Sequence, residues 1–174
     1  MRELDDDLEM ALRLLREGSF TRLGPYFEEN GSYPSQIVAW HEEGRFAEHE
    51  SELAEALTCA AFLGKTNVVE YLISKGVGVA AGNATGMTAL HWAADRGQLD
   101  AVRLLLRSGA DLEARNIYGG TSLGQTAWSA VQLPRAAHVA IFEELLKAGG
   151  DVDAVEFPTG HEGIDAVIRR HRAK

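Results

Sequence analysis

The chain has 174 residues, 45% of them hydrophobic, which is enough for one domain or a short array of repeats sharing a core and too apolar for disorder throughout. A formal net charge of −9, from 26 acidic and 17 basic side chains, excludes the basic footprint of a general nucleic-acid binder and suits a basic partner. The single cysteine, Cys59, allows no internal disulfide, the acidic opening Met1 to Asp7 is unlike a signal or transit peptide, and no apolar run approaches the ~20 residues that span a bilayer. A cytoplasmic monomer that binds neither membrane nor nucleic acid is therefore expected. In that compartment the Asn-x-Ser/Thr triplets at Asn30 and Asn83 are chance matches.

Taken in chain order, the apolar pattern is a helix-glycine-helix unit that repeats. Ala11, Leu14-Leu15, Gly18, Leu23 and Tyr26-Phe27 fit it loosely. An excess of about thirteen positions falls within residues 31–50, and from Ser51 the pattern reads as a longer helix. Leu57, Ala60-Ala61, Gly64, Val69, Leu72-Ile73 and Gly76 then recur 33 residues later as Leu90, Ala93-Ala94, Gly97, Val102, Leu105-Leu106 and Gly109. Asn83, Gly86, Thr88, Leu90 and Ala94 recur at the same step as Asn116, Gly119, Thr121, Leu123 and Ala127. Phe142, Leu145-Leu146 and Gly149 follow at a step of 40, so seven residues are inserted, within 128–135.

Within one unit, Leu90, Ala93 and Ala94 stand at i, i+3, i+4 on one face of a short helix. Leu99, Val102, Leu105 and Leu106 form the stripe of a second; Gly97 separates the two, and Gly109 ends the second in left-handed backbone. The alanines of the first helix let the pair approach closely. Neither helix buries its stripe alone, so the unit is stable only when stacked.

The run Gly86-Met87-Thr88-Ala89-Leu90-His91, then Ala93-Ala94 and Gly97, continued by Val102, Leu105-Leu106 and Gly109-Ala110-Asp111, closely resembles an ankyrin repeat. The resemblance covers Leu57 to Ala154 well, the first 30 residues weakly and the last 20 only as a cap. It implies an all-α solenoid of about four helix-turn-helix units with short hairpin fingers and a C-terminal capping helix. Residues 1–174 are read as one domain, with 1–49 a degenerate N-terminal capping unit carrying an insertion. Repeats follow at 50–82, 83–115 and 116–155, with a cap at 156–174 whose helix includes Asp165 to His171.

The resemblance further implies that Thr88 caps its helix with its hydroxyl held by His91, whose other nitrogen ties neighbouring backbone. Gly86 supplies backbone freedom in the turn, and Asn83 bonds local backbone from the usual aspartate position. Three departures stand out. Ala89 replaces the usual proline, Gly124 replaces the histidine in the third full unit, and Glu55-Ala56-Leu57-Thr58 replaces the capping sequence in the first, where a hairpin finger is not expected.

No residue set calls for catalysis. Gly76, Gly78, Gly82 and Gly86 follow a helix instead of a strand, which is the wrong context for a dinucleotide fingerprint. His41 and His49 lie among glutamates without metal-ligand spacing, and His161-Glu162 with Asp165 is no better. His138 and His171 read as surface positions. Cys59 lies in a small-residue helix without a paired histidine, and Ser122 and Ser129 lack a nucleophile elbow. Neither cofactor nor metal is expected.

Function is therefore expected in a protein partner, held on the concave surface of finger tips and first helices that ankyrin arrays present. The variable positions there are Ala84, Thr85, Met87, Asp95 and Arg96 in one unit and Arg115, Ile117, Tyr118, Gly120, Trp128 and Ser129 around the next. Met87, Asp95, Arg96, Ile117, Tyr118 and Trp128 are the candidate partner-binding residues, the two charged ones as a polar rim. Trp92 is expected to pack, whereas Trp40, Phe46 and Trp128 are open to packing beneath the insertions or to binding. A dedicated regulatory or inhibitory subunit of one enzyme is the alternative, and an enzyme in its own right a weaker one.

Overall fold

The computed structural model describes residues 2–29, 34–80 and 85–173; Asn30, Gly82, Asn83 and Ala84 lie outside them. Among the described residues the chain folds into ten α-helices and two 3-10 turns, with no β-strand. Helix α1 (Arg2–Arg16) buries Leu8, Ala11, Leu12 and Leu15, one face at helical spacing. A 3-10 turn (Phe20–Leu23), α2 (Gly24–Phe27) and α3 (Gln36–Glu42) complete the N-terminal region.

Three helix pairs follow: α4 (Glu50–Leu63) with α5 (Thr66–Ser74), α6 (Ala89–Asp95) with α7 (Leu99–Arg107), and α8 (Ser122–Gln132) with α9 (His138–Lys147). The turns inside the first two pairs rest on Gly64 and Gly97, both at φ near +73° to +74°, where a side chain would be strained. First helices pack on first helices, α4 on α6 on α8, and second on second, α5 on α7 on α9. The result is two helical layers sharing one continuous core, in which Leu57, Leu72, Leu90, Leu105, Leu123, Ile141 and Phe142 are fully buried. Each such side chain contributes about 1.5–3 kcal/mol through removal from water.

The ends of the stack are covered. Helix α1 packs on α4, and Arg16 pairs with the buried carboxylate of Glu52. Helix α10 (Glu162–Arg172) packs on α9 through Ile164, Val167 and Ile168. Phe20, Phe62 and Trp92 form a mutual edge-on cluster with centroids 5.4–5.9 Å apart, joining the N-terminal turn to α4 and α6.

The two aromatics left open in the 31–50 excess, Trp40 and Phe46, are both buried. Trp40 packs against Tyr26 at 5.5 Å, because α3 gives the excess an apolar face of its own. The second insertion lengthens the first helix of its pair: α8 has 11 residues where α6 has 7. Helix α4 is longer still, at 14 residues, and runs straight through the register position at which α6 and α8 begin.

Candidate functional site

The finger side of the third pair is built from a tight turn. Asn116 N–H donates to Gly120 O at 3.0 Å and Gly119 N–H to Asn116 O at 2.9 Å, while Asn116 Oδ1 accepts from Tyr118 and Gly120 N–H, both at 3.0 Å. The preceding finger lies alongside, since Ile117 N–H donates to Thr85 O at 3.0 Å. A Cβ on Gly86 would sit 3.2 Å from Asn116 Cα, so this approach of two backbones requires glycine.

Thr88 and His91 form the expected staple. Thr88 N–H donates to His91 Nδ1 at 3.2 Å, and the Thr88 hydroxyl lies 2.9 Å from the same nitrogen. Nδ1 is thus the acceptor, Nε2 carries the proton, and it donates to Gly120 O of the next unit at 3.1 Å. Burial holds the His91 pKa below its ordinary value, against the opposing bond to Gly120. In the third pair Thr121 caps α8 by accepting from Gly124 N–H at 3.3 Å, and no imidazole stands behind it.

The space at Gly124 is open, since an added Cβ would meet only Thr121 Oγ1, at 3.8 Å. Here a cavity of about 490 Å³ is lined by Met87, Asn116, Tyr118, Gly120, Gly124, Gln125 and Trp128. A second, of about 410 Å³, shares Tyr118, Gly120, Gly124 and Trp128 and continues to Val131, Val155 and Glu156. Tyr118 and Trp128 are 83% and 56% exposed, which is unusual for aromatics of this size, and Ile117 beside them is 63% exposed.

Polar groups fix the floor. Gln125 Oε1 accepts from Asn116 Nδ2 at 3.4 Å, and Gln125 Nε2 donates to Asp95 Oδ1 at 3.0 Å. Ser129 Oγ donates to the same Asp95 oxygen at 2.6 Å. His138 Nδ1 accepts from Arg135 N–H at 3.3 Å, so its Nε2 carries the proton and donates to Asp95 O at 3.1 Å. Burial lowers the His138 pKa as well, the bond to Asp95 O opposing it.

Of the six candidate residues, the structure brings Met87, Tyr118 and Trp128 to one cavity and leaves Ile117 exposed beside it. Four expectations need correction. Met87 is buried in the cavity wall, because the adjoining finger covers it. Asp95 and Ser129 are buried and bonded to each other, because the extra turn of α8 reaches over the end of α6. Arg96 lies over the Phe62 ring at 4.4 Å, on the neighbouring pair, and not on the rim of this cavity. His138, read as a surface residue, is fully buried where the inserted turn folds beneath α6. Asn116 and Gln125 also belong to the site, and the sequence signals only the first, through its register match to Asn83. The inserted segment does not hide Trp128, and Val131 and Leu133 are themselves exposed.

Elsewhere, His41 Nδ1 lies 2.8 Å from the Tyr71 hydroxyl, and burial pushes the Cys59 thiol well above its ordinary pKa. Among the described residues no cluster of three or more His, Cys, Asp or Glu has metal-binding proximity, and no helix is long and apolar enough to cross a membrane.

Comparison with known proteins agrees with this architecture. A family model described as ankyrin repeats in 3 copies matches residues 30–116, and one described as ankyrin repeats in many copies matches residues 90–157. A palmitoyltransferase of Drosophila melanogaster is 38% identical over 71 residues, 40% of this chain and 11% of that protein. A putative ankyrin repeat protein of Acanthamoeba polyphaga mimivirus is 37% identical over 62 residues, 36% of this chain and 20% of that protein. The chain thus spans about a tenth and a fifth of the length of these relatives. With half its length matched by one family model and its helix pairs stacked in two layers, the chain belongs to the ankyrin-repeat family.

Proposed function

We propose that the chain binds a partner protein in the groove walled by Met87, Tyr118 and Trp128, between the second and third helix pairs. Ankyrin repeats are generally protein–protein interaction modules and generally non-catalytic, which sets the class of function. One observation carries the location: two exposed aromatics and an exposed isoleucine flank a cavity whose floor is a fixed polar network. Such a site combines large apolar contact area with a few oriented polar groups, as protein hot spots do. In this reading residues 1–49 and 156–174 act as end caps, and the repeats at 50–82, 83–115 and 116–155 present the surface.

Tyr118→Ala and Trp128→Ala test it. Neither side chain supports the core, so both variants should melt as the parent does. Each should weaken partner capture from native lysate by about tenfold or more, the loss expected of a hot-spot aromatic. Capture by both variants at the level of the parent protein would show that binding lies elsewhere.

A further inference from the structure

We infer that the groove takes an arginine side chain from a basic segment of the partner, seated against Tyr118 and Trp128 with the Asp95 carboxylate behind it. This rests on the docking reading above and adds its chemistry. The first ground is charge. Asp95 is buried, both its side-chain donors, Gln125 and Ser129, are neutral, and among the described residues no basic side chain stands within ion-pair distance of it. The carboxylate does not line the cavity but stands directly behind Gln125, which does, and adds a negative potential to the floor from there.

A second ground is that the lining holds nothing to oppose a cation. Across both cavities the one charged residue among the described residues is Glu156, on the rim beside Val155. Arg115, the basic residue of this finger, is turned back on its own turn, with Nη1 donating to Gly119 O at 2.8 Å.

The third ground is the aromatic faces. Elsewhere the molecule covers its aromatics with its own cations: Arg96 over Phe62, Lys75 over Tyr71, and Arg169 with Arg172 over Phe157, at 4.4–5.7 Å. Among the described residues Tyr118 and Trp128, the two most exposed aromatics, carry none. Their faces are therefore open to a cation from outside. A planar guanidinium stacks on such rings and is desolvated more cheaply than an ammonium. Its N–H groups can also donate to the second lone pair of Gln125 Oε1 at the floor. The net charge of −9 draws a basic segment toward the molecule before contact.

The test uses the full chain and three synthetic peptides, Gly-Ser-X-Gly-Ser-X-Gly-Ser, with X arginine, its neutral isostere citrulline, or leucine. The readout is the NMR signals of the Trp128 indole and the Gln125 side-chain amide. The arginine peptide should shift both, with an affinity about five- to tenfold above the citrulline peptide, the share of binding that depends on the positive charge. Asp95→Asn should remove that preference; Trp128→Leu, which touches no core contact, should remove the shift of the Gln125 amide without changing the melting temperature. Equal shifts from arginine and citrulline, or tighter binding of leucine, would overturn the charge assignment while leaving protein docking intact. No shift with any of the three would also overturn it, and the capture experiment with Tyr118→Ala and Trp128→Ala would then decide the docking reading separately.

Discussion

Three first helices stand at the same register in this molecule, and they solve one problem in three ways. Helix α6 begins at Thr88 and is stapled by His91, which binds the cap on one side and Gly120 of the next unit on the other. In α8 the equivalents are Thr121 and Gly124; the cap remains, the imidazole is gone, and the link to the neighbouring pair runs through Asn116, Gln125 and Asp95. In α4 the equivalents are Glu55 and Thr58, and the helix does not start there at all. Both polar ties join the second pair to the third, one reaching forward from α6 and one back from α8. With glycine at the histidine position the space beside Gly124 is left open, and that space is the groove.

The largest effect should come from breaking the staple where it exists. His91→Ala removes the partner of Thr88 N–H and one of the two donors to the Gly120 carbonyl, and should cost about 1–3 kcal/mol. Thermal or urea unfolding measures it directly. If His91→Ala melts within a degree of the parent, the staple is not what joins the second and third pairs.

Glu55 gives the next effect, and it depends on pH. Burial raises its pKa from 4.5 to about 7, and its Oε2 is buried without a hydrogen-bond partner. Between those values the folded chain binds the proton and the unfolded chain does not, so this group's contribution falls as pH rises from 4.5 to about 7. His91 and His138 act oppositely: their folded pKa values lie below 6.5, so the unfolded chain takes up protons first and stability is lost as pH falls through 6.5. Glu55→Gln should therefore stabilise the protein at pH 8 by about 1–2 kcal/mol, after allowing for partial exposure, and by nothing near pH 5. A gain that does not change with pH would show that Glu55 is ionised in both states.

Gly124→Ala should do least. Its Cβ enters open space inside a helix, so the change should be neutral or stabilising by up to about 1 kcal/mol. A loss as large as that of His91→Ala would mean the two positions are equivalent after all.

What the sequence made legible was the part that repeats. The 33-residue step, the Thr88–His91 pair and the exposure of Tyr118 follow from matching units and asking which positions face inward, whereas Trp128 beside an insertion stays open until the structure shows it exposed. The illegible part lies where a unit departs from the repeat. Asp95 maps to an outward position on a short helix, and only the added turn of α8, carrying Ser129, covers it. His138 sits in a polar stretch of sequence yet is fully buried, because the inserted turn folds under the end of α6. Trp40 is in the same position: α3 has no counterpart in the other units, so no register could tell packing from exposure. Insertions change what is buried in the neighbouring unit, and a one-dimensional register does not carry that information.

The most direct test of the account is to put the missing side chain back. Gly124→His restores the residue that the second pair has at this position and places an imidazole in the groove between Tyr118 and Trp128. Partner capture should be lost or fall by about tenfold or more while the melting temperature stays level or rises, with Gly124→Ala as the control that keeps both. A well-folded Gly124→His protein that captures its partner as strongly as the parent would contradict the claim that the space freed at Gly124 is where the partner binds.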